Sequence, residues 1–346
     1  MYNDASALFE WPELVLAKTN RNYNWVYKSS YLLYCTPMSL ISVVTPCYNE
    51  ADNVIELVQR IRDVFSKIPD CTYEHILIDN ASTDNTVEIL RDLAKTDKNV
   101  KVIVNNRNYG HIRSPVHGLL QAHGEAIILL ASDLQDPPEL ILEFVDNWKR
   151  GFKVVMAVKN QSEESFLFYN IRKFYYDSLA RIADVKLVKN YTGSGLYDRS
   201  VIEILRKIDD PYPYFRGLIS ELGFESKIVN FKQPTRKRGF TKNNFYTLYD
   251  IGMLGVVNYS RVPLRLATIF GFILSIFSLI VSLVYLVLKI LYWQNYSLGM
   301  ASLLIGFFFL TSVQLFFIGI IGEYVGTILT QVQNRPLAIE KERINF

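Results

Sequence analysis

The chain is poor in cysteine and histidine. Among 346 residues the cysteines are Cys35, Cys47 and Cys71, and neither their number nor their spacing suits a disulfide framework or a zinc cluster. A reducing compartment is expected. His111, His117 and His123 recur every six residues, a step that scatters side chains around a helix and argues against a metal-binding face. The net charge is only +3, and no nucleic-acid partner is expected. No signal peptide is visible at the start. Residues 1–37 show no clear period before Met38, and they are expected to be a peripheral extension or an upstream choice of start site.

Charge is also absent from two long stretches. Leu266–Leu288 holds 23 residues without a charge and Ser297–Gly322 holds 26. A soluble helix of that length would show a polar face. At 1.5 Å per residue each run reaches roughly 35–40 Å, enough to cross a hydrocarbon core of about 30 Å with tilt. Two membrane spans follow, joined by the short aromatic connector Lys289–Ser297. Basic residues precede the first (Arg236, Lys237, Arg238, Lys242, Arg261, Arg265) and follow the second (Arg335, Lys341, Arg343), which predicts that both flanks are cytoplasmic. Half the residues are hydrophobic, as a soluble domain carrying a few spans would require.

From Leu40 to about Ala157, short apolar runs alternate with helical stretches. The runs are "LISVVTP", "HILID", "VKVIV", "AIILLA" and "KVVMAV". Helices are predicted over Asp52–Lys67 and Asp84–Ala94. This alternation reads as βαβ units with a mostly parallel sheet. Ligands of such sheets bind beyond the carboxyl ends of the strands. Polar clusters fall at those ends: "CYNEADN" after the first strand, "DNASTDN" after the second and "SDLQD" after the fourth. Each alone reads as a solvated turn; three on one rim read as a site. Phe166–Ala183 and Asn244–Asn258 are aromatic and partly amphipathic, which suits core helices of a subdomain and helices lying in the membrane interface equally well.

Asp133 and Gln135 offer hard oxygen ligands of the kind that suit Mg²⁺ or Mn²⁺ and leave coordination positions for substrate phosphates. Pro137 and Pro138 stiffen the backbone, and Pro138 or Glu139 can start the next helix. The plainer reading makes Asp136 the cap of that helix.

The ordered motifs "SVVTPCYNEADN", "ILIDNASTDNT" and "ASDLQDPPE" resemble the family 2 glycosyltransferases of the GT-A fold. The downstream "RKRGFTKNN", "VPLRL" and "GEYVG…RP" are similar to the bacterial polyprenyl-phosphate glycosyltransferases related to dolichol-phosphate mannose synthase. The resemblance covers about Leu40 to Pro336. It implies an α/β GT-A domain with a Rossmann-like sheet plus a two-helix transmembrane hairpin. The implied layout is an extension over 1–37, a cytoplasmic catalytic domain over 38–235, a juxtamembrane segment over 236–263, spans within 264–326 and a cytoplasmic tail over 327–346. The resemblance also implies nucleotide contacts at Pro46, Tyr48, Glu50 and Asp79, and metal ligation at Asp133 and Gln135. Arg236 and Lys242 would meet a lipid phosphate or the donor diphosphate. The implied reaction moves a sugar, with inversion, from a nucleotide sugar, by analogy a UDP-sugar, to polyprenyl (undecaprenyl) phosphate. The enzyme would sit in the cytoplasmic membrane and serve cell-surface glycan assembly, and a homo-oligomer is compatible with the sequence.

There are departures from the family pattern. Asp79-Asn80 replaces a usual pair of aspartates, and Ala81 a usual glycine. Ala131 replaces the first carboxylate of an Asp-Ala-Asp run, and Thr192–Gly195 lacks an aspartate common before "LYDR". These departures leave two alternatives open. A non-catalytic scaffold that binds nucleotide sugar is prompted by Ala131 and Gly193. A processive polysaccharide synthase shares the nucleotide domain, but its Gln-x-x-Arg-Trp motif and additional spans are absent here.

Overall fold

The computed structural model describes residues 14–19, 22–27, 38–161, 185, 188–234, 245–292 and 300–346. The chain divides into two compact units, Met1–Met38 and Ser39–Phe346. In the first, β1 (Leu14–Thr19) and β2 (Asn22–Tyr27) pair antiparallel, with Leu14 opposite Tyr27 and Thr19 opposite Asn22.

The second unit is built on an eight-stranded sheet. Its elements run β3 (Ser39–Cys47), α1 (Val54–Phe65), β4 (Cys71–Asp79), α2 (Thr86–Thr96), β5 (Val100–Asn105), α3 (Gly110–Leu120), β6 (Ala126–Leu129), α4 (Leu140–Lys149) and β7 (Val154–Gln161). Then come β8 (Tyr191–Asp198), α5 (Arg199–Ile208), α6 (Phe215–Glu221), β9 (Ser226–Lys232), α7 (Phe245–Tyr259), α8 (Val262–Leu291), α9 (Met300–Gln333) and β10 (Glu340–Ile344). Strand order is β10-β5-β4-β3-β6-β8-β7-β9. The segment β5-β4-β3-β6 is parallel, β8 runs antiparallel between β6 and β7, and β10 is antiparallel on the β5 edge. The chain steps from β3 outward to β5 and then returns to the other side of β3 as β6. That reversal opens a crevice between the carboxyl ends of β3 and β6, where an open α/β sheet binds ligands.

Alternation along the strands divides the core between two faces. Ile41 and Val43 of β3 pack with Leu57 and Ile61 of α1 and Phe144 of α4. Val44, Ile76 and Ile78 face the other way, toward Leu119 of α3 and Val201 and Ile202 of α5. Two glycines are dictated by close approach. A Cβ on Gly195 would lie 2.2 Å from the Val155 carbonyl oxygen, and one on Gly124 would lie 2.7 Å from the Ser42 nitrogen.

The elements differ from the sequence reading in their limits. The strand expected to reach Ala131 ends at Leu129, and helices begin at Val54 and Thr86 rather than Asp52 and Asp84. Glu139, not Asp136, holds the N-cap position of α4. Asp136 instead accepts a hydrogen bond from the Ser194 hydroxyl of β8, so this carboxylate belongs to the tertiary structure. The 327–346 segment does not trail away: α9 continues to Gln333, and β10 returns to the sheet. Phe166–Ala183 lies outside the described residues, whereas most of Asn244–Asn258 forms α7.

Two helices are long and apolar enough to cross a membrane, with windows at Val262–Val281 and Gly306–Gln333. Their large side chains face outward: Phe272 is 68% exposed, Leu279 67% and Phe316 65%. Patches of this extent on a soluble surface would carry a large hydrophobic penalty, which a bilayer removes.

Candidate active site

Three loops at the carboxyl ends of β3, β4 and β6 build the site. The first, Tyr48–Asn53, is tied to the second by side chains. The Asn49 backbone donates to Ser82 Oγ at 2.9 Å, and Asn49 Oδ1 accepts from the Thr83 backbone at 2.7 Å. The Glu50 backbone donates to Thr86 Oγ1 at 2.9 Å, and Glu50 Oε2 accepts from Asn53 Nδ2 at 2.6 Å. Pro46 and Tyr48 are half-buried beside Glu50, which is 9% exposed.

Asp79 ends β4 in register with Cys47 and is fully buried. Its carboxylate accepts from the Ser82 backbone at 2.9 Å and the Ser82 hydroxyl at 2.5 Å. Burial raises its pKa, and the Ser82 hydrogen bonds only partly offset that. Asp84 shows the opposite balance: burial raises it, but hydrogen bonds from Thr86 and the Ala51 backbone leave it below the usual carboxylate range. The Cys47 thiol lies among these groups. Burial, then the Asp79 and Glu50 carboxylates, hold its pKa well above normal, so it is a neutral packing group and not a nucleophile.

The third loop follows β6. Asp133 Oδ1 accepts from the Gln135 backbone at 3.1 Å, a turn that puts Leu134 in the left-handed region at φ 58°. Each of the three loops holds one such residue, Asn49 (φ 54°), Ala81 (φ 59°) and Leu134. Asparagine tolerates this conformation; alanine and leucine are strained there. Asp133 and Gln135 are half-buried at the rim. Asp136 behind them is 4% exposed, and its Oδ1 is buried with no hydrogen-bond partner. Burial raises its pKa against the Ser194 hydrogen bond.

Two sets of contacts beside the site, made by positions the sequence marks only as departures from the family pattern, were not apparent from the sequence. Asn80, which follows Asp79, donates from Nδ2 to Asn108 Oδ1 at 2.9 Å and accepts from the Tyr109 backbone at 2.9 Å. The β5–α3 loop is thereby joined to the rim. On β8, Gly193 has φ 96°, and Arg216 donates to the Thr192 carbonyl at 2.8 Å. An aspartate at position 193 would be strained whatever its surroundings. A carboxylate after β6 with a hydroxyl on β8 is a tertiary pairing with no signature in spacing. Arg236 and Lys242 lie outside the described residues.

A glycosyl transferase family 2 model matches residues 42–205, which contain all three loops. An uncharacterized glycosyltransferase of Bacillus subtilis, YkcC, is 33% identical over 86% of this chain and 92% of its own length. The SfII prophage-derived bactoprenol glucosyl transferase of Shigella flexneri is 30% identical over 87% of this chain and 97% of its own. The chain belongs to the family 2 glycosyltransferases. Among solved structures, the mannosyltransferase PcManGT from Pyrobaculum calidifontis, in complex with GDP-Man and Mn²⁺, aligns at 17% identity with a TM-score of 0.41. That alignment covers 87% of this chain and 88% of that one. Membership of this family makes the chain a transferase, and its mixed, mostly parallel sheet is the GT-A arrangement that the motifs imply.

Proposed function

We propose that this glycosyltransferase moves a sugar from a nucleotide-diphosphate donor, a UDP-sugar, to polyprenyl phosphate and inverts the anomeric centre. The supporting observation is the joining of a three-loop rim at the β3/β6 crevice to two apolar helices on one chain. A relative named for bactoprenol glucosyl transfer supports the same acceptor. A membrane anchor suits an acceptor that cannot leave the bilayer.

Pro46, Tyr48, Glu50 and Asp79 would position the nucleotide, since their loops are cross-tied and need little ordering on binding. Asp133 and Gln135 would hold Mg²⁺ or Mn²⁺. The donor set fits a hard cation, being oxygen-only, partly exposed and backed by the unpartnered Asp136 oxygen. Among the described residues no group of three or more His, Cys, Asp or Glu forms a closed metal cage, so donor phosphate would complete the shell. When bound, the cation supplies positive charge to the departing diphosphate. Arg236 and Lys242 would add fixed positive charge near the membrane, and the basic flanks would set both ends of the hairpin on the cytoplasmic side.

The acceptor phosphate is already anionic at neutral pH, so its oxygen attacks without first losing a proton to a base. A glycine at position 193 is compatible with that chemistry. Purified protein in detergent, given radiolabelled nucleotide sugars, undecaprenyl phosphate and a divalent cation, should form a lipid-linked monosaccharide of inverted configuration. Donor turnover without lipid product would refute the acceptor, and a retained anomer would refute the single displacement.

A further inference from the structure

Three arginines gather where the second apolar helix meets the catalytic unit. Arg107 precedes α3 and lies over the Tyr109 ring, its guanidinium carbon 4.2 Å from the ring centroid. Arg113, in the first turns of α3, approaches the same ring at 5.2 Å and donates to the carbonyl of Pro336. That contact brings Arg335 to the same place, directly after α9. Burial, then the charges of Arg107 and Arg335, push the Arg113 pKa down, so both neighbours oppose the charge on Arg113. Arg113 Nε is buried with no hydrogen-bond partner. Among the described residues none of the three forms an ion pair with a carboxylate. Clustered cations, one with an unused buried donor, are expected to be stabilised by an anion. The fork geometry of arginine and the amino end of α3 both favour phosphate.

The surroundings select the kind of phosphate. Ile112 packs against the cluster of Tyr212, Tyr214, Leu254 and Tyr259. Tyr212 and Leu254 of that cluster also wall a cavity of about 280 Å³ between α7 and α9, with Val257, Thr327 and Gln331 among its other walls. A charged cluster and a partly apolar cavity thus share one wall at the end of a membrane helix. Glu323 also lines the cavity, but it stands twelve residues before Arg335 and so roughly 18 Å away along a helical path.

We propose that Arg107, Arg113 and Arg335 form a docking site for the terminal phosphate of a prenyl phosphate, with the first part of its chain in the α7–α9 cavity. This rests on the polyprenyl-phosphate reading above and assigns capture of the acceptor headgroup to residues other than Arg236 and Lys242. The β5–α3 loop stands two strands from β3, about 10 Å from the crevice, so the site captures the acceptor beside the reaction centre. The loop's hydrogen bonds to Asn80 join it to the donor rim.

Binding of farnesyl phosphate to the full chain in detergent should fall at least tenfold in both Arg107→Ala and Arg335→Ala. Acceptor KM should rise by a similar factor while kcat and donor KM stay near wild type. Arg113→Lys, which keeps the charge but loses the fork, should weaken binding less and melt like wild type. Inorganic phosphate should compete weakly and phosphatidylglycerol vesicles not at all. Equal competition by those vesicles would reduce the cluster to a general lipid anchor, and a rise in donor KM alone would make it part of the donor site. Either result overturns the proposal. Wild-type protein that transfers to prenyl phosphate, with variants that bind it undiminished, overturns this site alone. Wild-type protein that binds no prenyl phosphate overturns the acceptor reading and this site with it.

Discussion

At the scale of single residues, the site combines charge that must be kept with strain that can be relieved. Asp133→Asn keeps the shape of the third loop and removes one charge from the proposed cation site. Transfer should nearly vanish while the melting temperature changes little, and EDTA should mimic the loss until Mg²⁺ or Mn²⁺ is restored. Full activity of this variant in chelator would exclude metal assistance. Asp136 is placed differently: it is buried, held by Ser194 and partly unpartnered. Asp136→Ala would leave the Ser194 hydroxyl without its acceptor in a dry site, with an expected cost of about 1–3 kcal/mol and a larger loss of activity than of fold. Ala81 tests the strain, because an alanine at φ 59° stands where a glycine would be at ease. Ala81→Gly should raise stability by about 0.5–1 kcal/mol in a detergent melt, and a loss would mean that the left-handed turn is not populated.

At the scale of elements, the joint between β8 and α5 depends on one carboxylate. Asp198 accepts from the Ser200 backbone at 3.0 Å, from Trp148 Nε1 at 2.9 Å and from Lys153 Nζ at 3.0 Å. Burial raises its pKa, but these partners outweigh it and hold the group down at about 2. A depressed carboxylate stabilises the fold fully above its ordinary pKa near 4, and that contribution is lost as pH falls toward 2. Asp198→Asn keeps the helix cap and removes the charge, and should cost about 2 kcal/mol at pH 7. The gap to wild type should narrow steadily in melts run from about pH 5 down to about pH 2; a gap independent of pH would contradict the assignment. The edge strand β10 is equally specific. Glu342 pairs with Arg91 and Glu340 with His117, both at 2.6 Å, and Asn345 donates to the carbonyls of Ala94 and Val100. Deleting residues 340–346 should uncover the β5 edge, lower the melting temperature by roughly 5 °C or more and promote aggregation.

At the scale of the whole molecule, the sheet is completed only after the chain has passed through both apolar helices. Gln331 of α9 donates to Asp210 at 2.9 Å, Arg113 holds Pro336, and β10 then locks onto β5. The second helix is thereby tied to the catalytic unit at its end. A variant cut after residue 234 loses the spans and the edge strand together. It should be poorly soluble, and appending residues 335–346 through a flexible linker should restore a folded, soluble domain, as judged by gel filtration and circular dichroism. Failure of that rescue would mean that the apolar helices themselves support the sheet. Residues 1–37 fall in the other compact unit, and their removal should leave membrane insertion and transfer near wild type.

The βαβ alternation, the three polar rim clusters and the two uncharged runs were legible in the sequence, because each is a local pattern with its own period. The layer order follows from that pattern, and so does the placing of Glu50, Asp79 and Asp133 on one edge, since strand ends in a parallel sheet share a side. Spacing could not disclose the Asp136–Ser194 pair, the contact of Arg113 with Pro336 or the return of β10. Each joins residues dozens to hundreds of positions apart, and such contacts exist only once the backbone has chosen its path. The left-handed turns at Ala81 and Leu134 are equally hidden, because alanine and leucine favour other conformations and only the surrounding hydrogen bonds hold them there. Local periodicity determines which elements form; packing decides which of their polar atoms meet.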